Sequence, residues 1–378
     1  PSWDGRIAQR MCVLNRLNRH TRFVAAGVFA WALVTGAVAQ PALLPANLVQ
    51  AGSLAPDQVA SIAAAIKPHV EALSGPADAI GAARRQLLSP LAATGNPSVP
   101  FRLRYAEEVS KQLAPVLSGS NQMAKINALV IAGELSTSDA ARLLATSRKD
   151  TDPSVRFQAA DAGRAILATY ANSRGSTLLA DDDARSLVSD IAKAIASEKD
   201  PLVQDALLAS LEAALPSTKL QEAAAKSLAD AANTIARNAS KSAADTRLLE
   251  AFERVANTMS DLLIRQGNAM VAPVKIAIGD FAASSLWHTK QAIAAKAVPG
   301  GADQPLRDAY SRLAQSSENL ILRAGTSLDP TLKVSPKNTG SKVGQGNTQG
   351  DASFVADANE LIAVVTTPPF GVNASRYK

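Results

Sequence analysis

Beyond residue 39, two histidines, one tryptophan and one run of aspartates are the residues whose types invite a chemical role. His69 follows Pro68 in a helical pattern, and His288 adjoins Trp287. Neither histidine opens a metal-ligand spacing, and the two are remote from each other, so any catalytic pairing would have to be assembled by the fold. Both read as helix-face histidines with a polar edge in water, and Trp287 reads as core rather than as an exposed anchor for a partner.

The run Asp181-Asp182-Asp183 raises a calcium hypothesis, because that ion takes six to eight oxygen ligands. Three consecutive carboxylates on a nascent helix point in different directions, however, whereas acidic residues at a helix start are what the macrodipole favours. The stretch Gly344-Gln345-Gly346-Asn347-Thr348-Gln349-Gly350 lacks the strand before and the helix after that a phosphate-binding loop requires. Arg84-Arg85 and Arg102 with Arg104 lack interleaved aromatics, so nucleic acid is not an expected partner. No catalytic, cofactor-binding or metal-binding residue is assigned, and no cofactor is expected.

The elements that must carry any function begin after a leader. From Met11, a plausible initiator, the chain carries Arg16, Arg19 and Arg22, then an apolar core over residues 23–34, then Ala37-Val38-Ala39. This is the pattern of a secretory signal peptide with small residues Ala37 and Ala39 at the cleavage site. The apolar run is shorter than the roughly 20 residues of a spanning helix, so no stable membrane span is expected after cleavage. The expected location is periplasmic or secreted. Removing residues 1–39 takes away five of the 39 basic residues and one of the 33 acidic ones, which leaves 34 and 32. The net charge of +6 is therefore mostly carried by the leader. Cys12, the one cysteine, goes with it, which excludes disulfides and thiolate chemistry in the mature chain.

Of 378 residues, 75 are alanine and only 4% are aromatic. Small side chains with high helix propensity make an all-α fold the expected class. Residues 40–98 hold an N-terminal helical hairpin, with helical patterns over 56–73 and 76–91 and a break at Gly95-Asn96-Pro97-Ser98.

Residues 99–216 are internally similar. Three stretches share a design: Asn121-Gln122-Met123-Ala124-Lys125, Asp152-Pro153-Ser154-Val155-Arg156 and Asp200-Pro201-Leu202-Val203-Gln204. Each opens with a residue that caps a helix, and in two of them proline follows at the first helical position. An amphipathic helix precedes each, at 105–117, 138–147 and 184–197. The arrangement resembles the HEAT-repeat family, whose second helix opens with Asp-Pro-x-Val-Arg and small apolar residues, over about residues 101–216. That resemblance implies stacked helical hairpins, a short α-solenoid. The starts are 31 and 48 residues apart, which departs from the family's usual repeat of roughly 40 to 47.

Residues 217–328 predict a C-terminal helical bundle. Leu248, Phe252, Val255, Met259 and Leu262 form one stripe ending near Gly267, and Leu306, Tyr310, Leu313, Ser317, Leu320 and Ala324 form another, entered through Asp303 and Pro305. A third helix starts at Pro273 with Val274, Ala277, Ile278, Phe281 and Leu286. Dimerisation through one stripe is the alternative to packing within the chain. Residues 329–378 read as a linker and tail, flexible over the polar stretch 335–350, with a terminal amphipathic element at 354–365.

Stacked hairpins leave an extended surface of the kind that holds other macromolecules. The expectation is an exported, non-catalytic scaffold with a protein partner, contacted through polar helix positions such as Arg142, Arg156 and Lys193. A small-ligand receptor or enzyme with a fold-assembled pocket, and a structural subunit of an envelope assembly, are the alternatives.

Overall fold

The computed structural model describes residues 43–92, 97–173, 178–239, 245–298, 300 and 304–378, and every regular element among them is helical. The leader with Ala37 and Ala39, and the capping position Asp303, lie outside the described residues. After a short lead-in helix α1 (Ala46–Val49), α2 (Pro56–Ala72) and α3 (Ala77–Leu88) make the expected hairpin. The repeat region supplies α4 (Val99–Ser118), α5 (Gln122–Leu135), α6 (Ser138–Ser147), α7 (Pro153–Asn172), α8 (Asp181–Ser197) and α9 (Pro201–Glu212). Then come α10 (Gln221–Ala239), α11 (Thr246–Gln266), α12 (Ala272–Ala294), α13 (Pro305–Leu328), α14 (Thr339–Gly344) and α15 (Thr348–Thr366).

The three shared stretches start helices by the physics their residue types announce. The Asn121 side chain accepts from Ala124 N at 3.1 Å, Asp152 from Ser154 N at 2.8 Å, and Asp200 from Leu202 N at 2.9 Å. Each bond satisfies a donor that the first helical turn leaves without an intrahelical acceptor. Pro153 and Pro201 sit where a missing N–H costs nothing. Behind these caps, Val155, Ala159, Ala160 and Ile166 of α7 and Val203, Leu207 and Leu211 of α9 are buried.

Helices two apart in sequence pack side by side. The chain α2, α4, α6, α8, α10, α12 forms one layer, and α3, α5, α7, α9, α11, α13 forms the other. This is an all-α, solenoid-like stack of helical hairpins. Alanine and glycine let neighbouring helices within a layer close up: a Cβ on Gly133 of α5 would stand 3.1 Å from the Ala162 backbone of α7. The long helices α10 to α13 form the expected bundle, with α10 on α12, α11 on α13 and α12 on α13, and they keep the alternating order of the repeats. Leu248, Phe252, Val255, Met259 and Leu262 are all buried, as are Tyr310, Leu313, Ser317, Leu320 and Ala324. α12 is covered nearly all round, from Ala277 to Thr289.

The reading of residues 335–350 as a flexible linker is corrected. The buried Glu318 carboxylate of α13 accepts from three successive backbone N–H groups, Lys337 at 2.6 Å, Asn338 at 3.0 Å and Thr339 at 2.7 Å. Arg307, also buried, donates to Val343 O at 2.6 Å and to Asp351 at 3.0 Å. Backbone groups of this stretch are satisfied by side chains on α13, while Lys337 and Lys342 pair with Glu360 and Asp357 of α15, and composition alone shows none of these partners. The terminal element expected at 354–365 is present as α15, with Phe354, Ala358, Leu361 and Val365 buried against the stack.

The tail is likewise tied down. Tyr377 donates to Asp280 of α12 at 2.5 Å, Arg376 pairs with the same carboxylate, and Asn233 of α10 donates to it at 2.8 Å. Phe370 lies against Gly279, in space that a Cβ there would invade, and a Cβ on Gly325 would run into Leu332 beside it.

Candidate functional site

The three aspartates at the start of α8 divide their loyalties. Asp181 accepts from Tyr170 at 2.7 Å and Lys219 at 2.8 Å, Asp182 pairs with Arg185 at 2.7 Å, and Asp183 faces Arg142 at 3.3 Å. They occupy the first turn after Ala180, where the helix dipole favours them. Among the described residues, no group of three or more His, Cys, Asp or Glu side chains is placed to hold a metal ion.

His288 departs from the sequence reading. It is fully buried in α12, edge-on to Phe252, with Nε2 3.3 Å from the Tyr310 hydroxyl and Nδ1 without a hydrogen-bond partner. Burial pushes its pKa down to about 4, so the neutral ring is the resident form at neutral pH. A histidine with its polar edge in water fits an amphipathic helix, whereas α12 has no such face. Trp287 is core, at 9% exposure.

Convergent polar groups lie elsewhere, at the turns of the repeat stack. An open cleft of about 520 Å3 is bounded by the end of α6, the turn into α7, and the last turns of α8, and Arg148, Lys149, Asp150, Arg156, Asp190, Lys193, Glu198 and Lys199 line it. Local structure explains the positions. Arg148 is the C-cap of α6, and Asp150 braces the turn by accepting from Asp152 N at 2.9 Å. Arg156 sits in the first turn of α7, and Glu198 follows the end of α8.

Arg156 is the best-anchored group in the wall. Nε and Nη2 bind the two oxygens of Glu198 at 2.7 and 2.9 Å, and Nη1 donates to the carbonyls of Asp150 at 2.9 Å and Thr151 at 3.1 Å. The hydrogen bonds that Arg156 donates to Glu198 raise the arginine pKa further. Burial works to raise the Glu198 carboxyl, and Arg156 with two backbone N–H groups outweighs it, so the acid lies below its ordinary value. Arg156 is therefore a clamp between successive hairpins and not the freely exposed charge its helix position suggests.

The same device recurs along the stack. Lys125 binds Asp150 at 2.7 Å, Arg254 of α11 reaches Asp205 at 2.7 Å and Glu212 at 2.9 Å on α9, and Arg312 of α13 reaches Glu253 of α11 at 3.0 Å. Each bond joins one hairpin to the next.

Arg148 is different. Its side chain is 5% exposed, Nη2 is 3.6 Å from Asp190, and Nη1 is buried with no acceptor. Burial lowers its pKa, against the opposing charge of Asp190. Lys193 also approaches Asp190, at 3.5 Å, while remaining exposed. Of the three positions read from the sequence, Arg156 and Lys193 thus meet in one cleft. Arg142, on the second turn of α6, lies away from that cleft and binds Asp139 at 2.9 Å. Arg148 and Glu198 were not singled out by sequence, although both flank the capped Asp-Pro turns that mark the repeat.

No protein-family model matches the chain, and no curated relative matches it in sequence. Two engineered proteins solved by the Northeast Structural Genomics Consortium are distantly similar in structure, each at 15% identity. One covers 69% of this chain and 92% of its own length with a TM-score of 0.26, the other 88% and 94% with a TM-score of 0.25. At such scores the likeness bears on neither fold nor function.

Proposed function

We propose that the chain is an exported, non-catalytic scaffold that binds a protein partner along the turn edge of its helical repeats, within residues 101–216. The observation that carries this reading is the open cleft at the junction of α6, α7 and α8, lined by charged side chains and built from successive hairpins. Extended stacks offer such edges as docking surfaces. The HEAT-like Asp-Pro-Ser-Val-Arg turn supports the same reading, since its Arg156 lines the cleft. Export rests on the Arg-rich, apolar, Ala-x-Ala pattern of residues 11–39.

The test is site-specific photo-crosslinking in the native host, with the crosslinker at Lys193 and, as a control, at the exposed Lys67 of α2. A discrete protein adduct from position 193 alone, lost on competition with untagged wild-type chain but not with a Lys193→Glu chain, is the expected result. Equal adducts from both positions, or none, would remove the support for this surface. Intact mass of exported protein starting at Gln40 tests the location.

A further inference from the structure

The cleft holds more positive charge than its own carboxylates neutralise. Glu198 is committed to Arg156, and Asp150 to Lys125. Asp190 alone remains to answer Arg148 and Lys193, and it does so at 3.6 and 3.5 Å, well beyond the 2.7–2.9 Å of a charge-assisted hydrogen bond. Lys149 and Lys199 are exposed on the two turns at its rim. Nη1 of Arg148 is a buried donor with no acceptor, which is costly unless something fills that role. Asp190 answers the Arg148 charge only at long range, and a further carboxylate in the cleft would bring a nearer one.

We infer that this cleft seats acidic side chains from an extended segment of the partner protein, with Arg148 as the buried anchor and Lys149, Lys193 and Lys199 as the rim. The inference rests on the repeat-surface reading and names the chemistry of the partner. A peptide suits the site better than a single oxyanion. The cations stand on three different elements around an open space of about 520 Å3, so they address several carboxylates in sequence and do not converge on one point.

The test is calorimetric titration of the full mature chain with a blocked oligoglutamate peptide, with inorganic phosphate and an oligoserine peptide as comparisons. Oligoglutamate is expected to bind saturably and to weaken steeply with salt, as desolvated and rim charges require. Arg148→Gln is expected to weaken binding about tenfold or more. Because Arg148 is buried, the exposed pair Lys149→Glu with Lys199→Glu serves as a second variant, expected to weaken binding by a similar factor while circular dichroism and melting stay unchanged. Lys67→Glu is expected to have no effect. Binding of phosphate as tight as that of oligoglutamate would overturn the inference in favour of a small-anion site. Oligoglutamate binding that is absent, or indifferent to both cleft variants, would overturn it outright. In either case a Lys193 crosslink to a protein would leave the scaffold reading standing, whereas loss of that crosslink with peptide binding intact would remove the scaffold reading alone.

Discussion

Arg156 and Arg142 look alike in sequence, two cations on polar faces of repeat helices, and the structure gives them different work. Arg156 holds Glu198, whose side chain is only 5% exposed, so Arg156→Gln leaves a buried carboxylate with two backbone N–H donors but no cationic partner. The expected loss is about 3 kcal/mol in urea unfolding. Arg142 is 66% exposed, and Arg142→Gln should change stability by about 0.5 kcal/mol or less. Equal effects would mean that the hairpin clamp is not formed. The motif around Arg156 was legible, but its partner was not, because Glu198 lies 42 residues on and only the stacking of α7 on α8 brings the two together. His288 makes a second residue-scale prediction. Unfolded, its ring takes a proton near 6.5; folded, only near 4. Its contribution is present in full above pH 6.5 and is lost as the pH falls toward 4, by about 3 kcal/mol in total. His288→Gln should flatten the stability profile between those limits, and an unchanged slope would show that other groups set it.

At the scale of elements, local chemistry was the readable part. Asn121, Asp152 and Asp200 cap helices where their residue types said they would, because a cap needs only its own side chain and the next two or three N–H groups. The stretch 335–350 was unreadable for the opposite reason. Its polar groups find Glu318 and Arg307 on α13, and no local pattern announces so distant a partner. Hydrogen exchange should therefore find the amides of Lys337, Asn338 and Thr339 protected, and Glu318→Ala should release them together while leaving α11 protected. Fast exchange of these amides in the wild-type chain would restore the linker reading.

Across the whole molecule, the alternation of two helix layers was legible only where cap and proline repeated, within residues 99–216. The same order persists from α2 to α13, although the repeat length drifts and the helices grow. Apolar stripes identified the later helices individually; their neighbours follow from contacts that no stripe encodes. The tail, pinned by Arg376 and Tyr377 to Asp280, closes the far end of the stack, again through a contact of high sequence separation. In this arrangement the cleft at α6, α7 and α8 sits within the stack, with packed hairpins on either side.

Hydrogen exchange of the full chain, alone and in complex with the crosslinked partner, tests that placement most directly. The account predicts slowed exchange confined to residues 148–152 and 190–199, with α12 and the C-terminal residues unchanged. A footprint centred on α12 and α13 around His288, with none at the cleft, would contradict it.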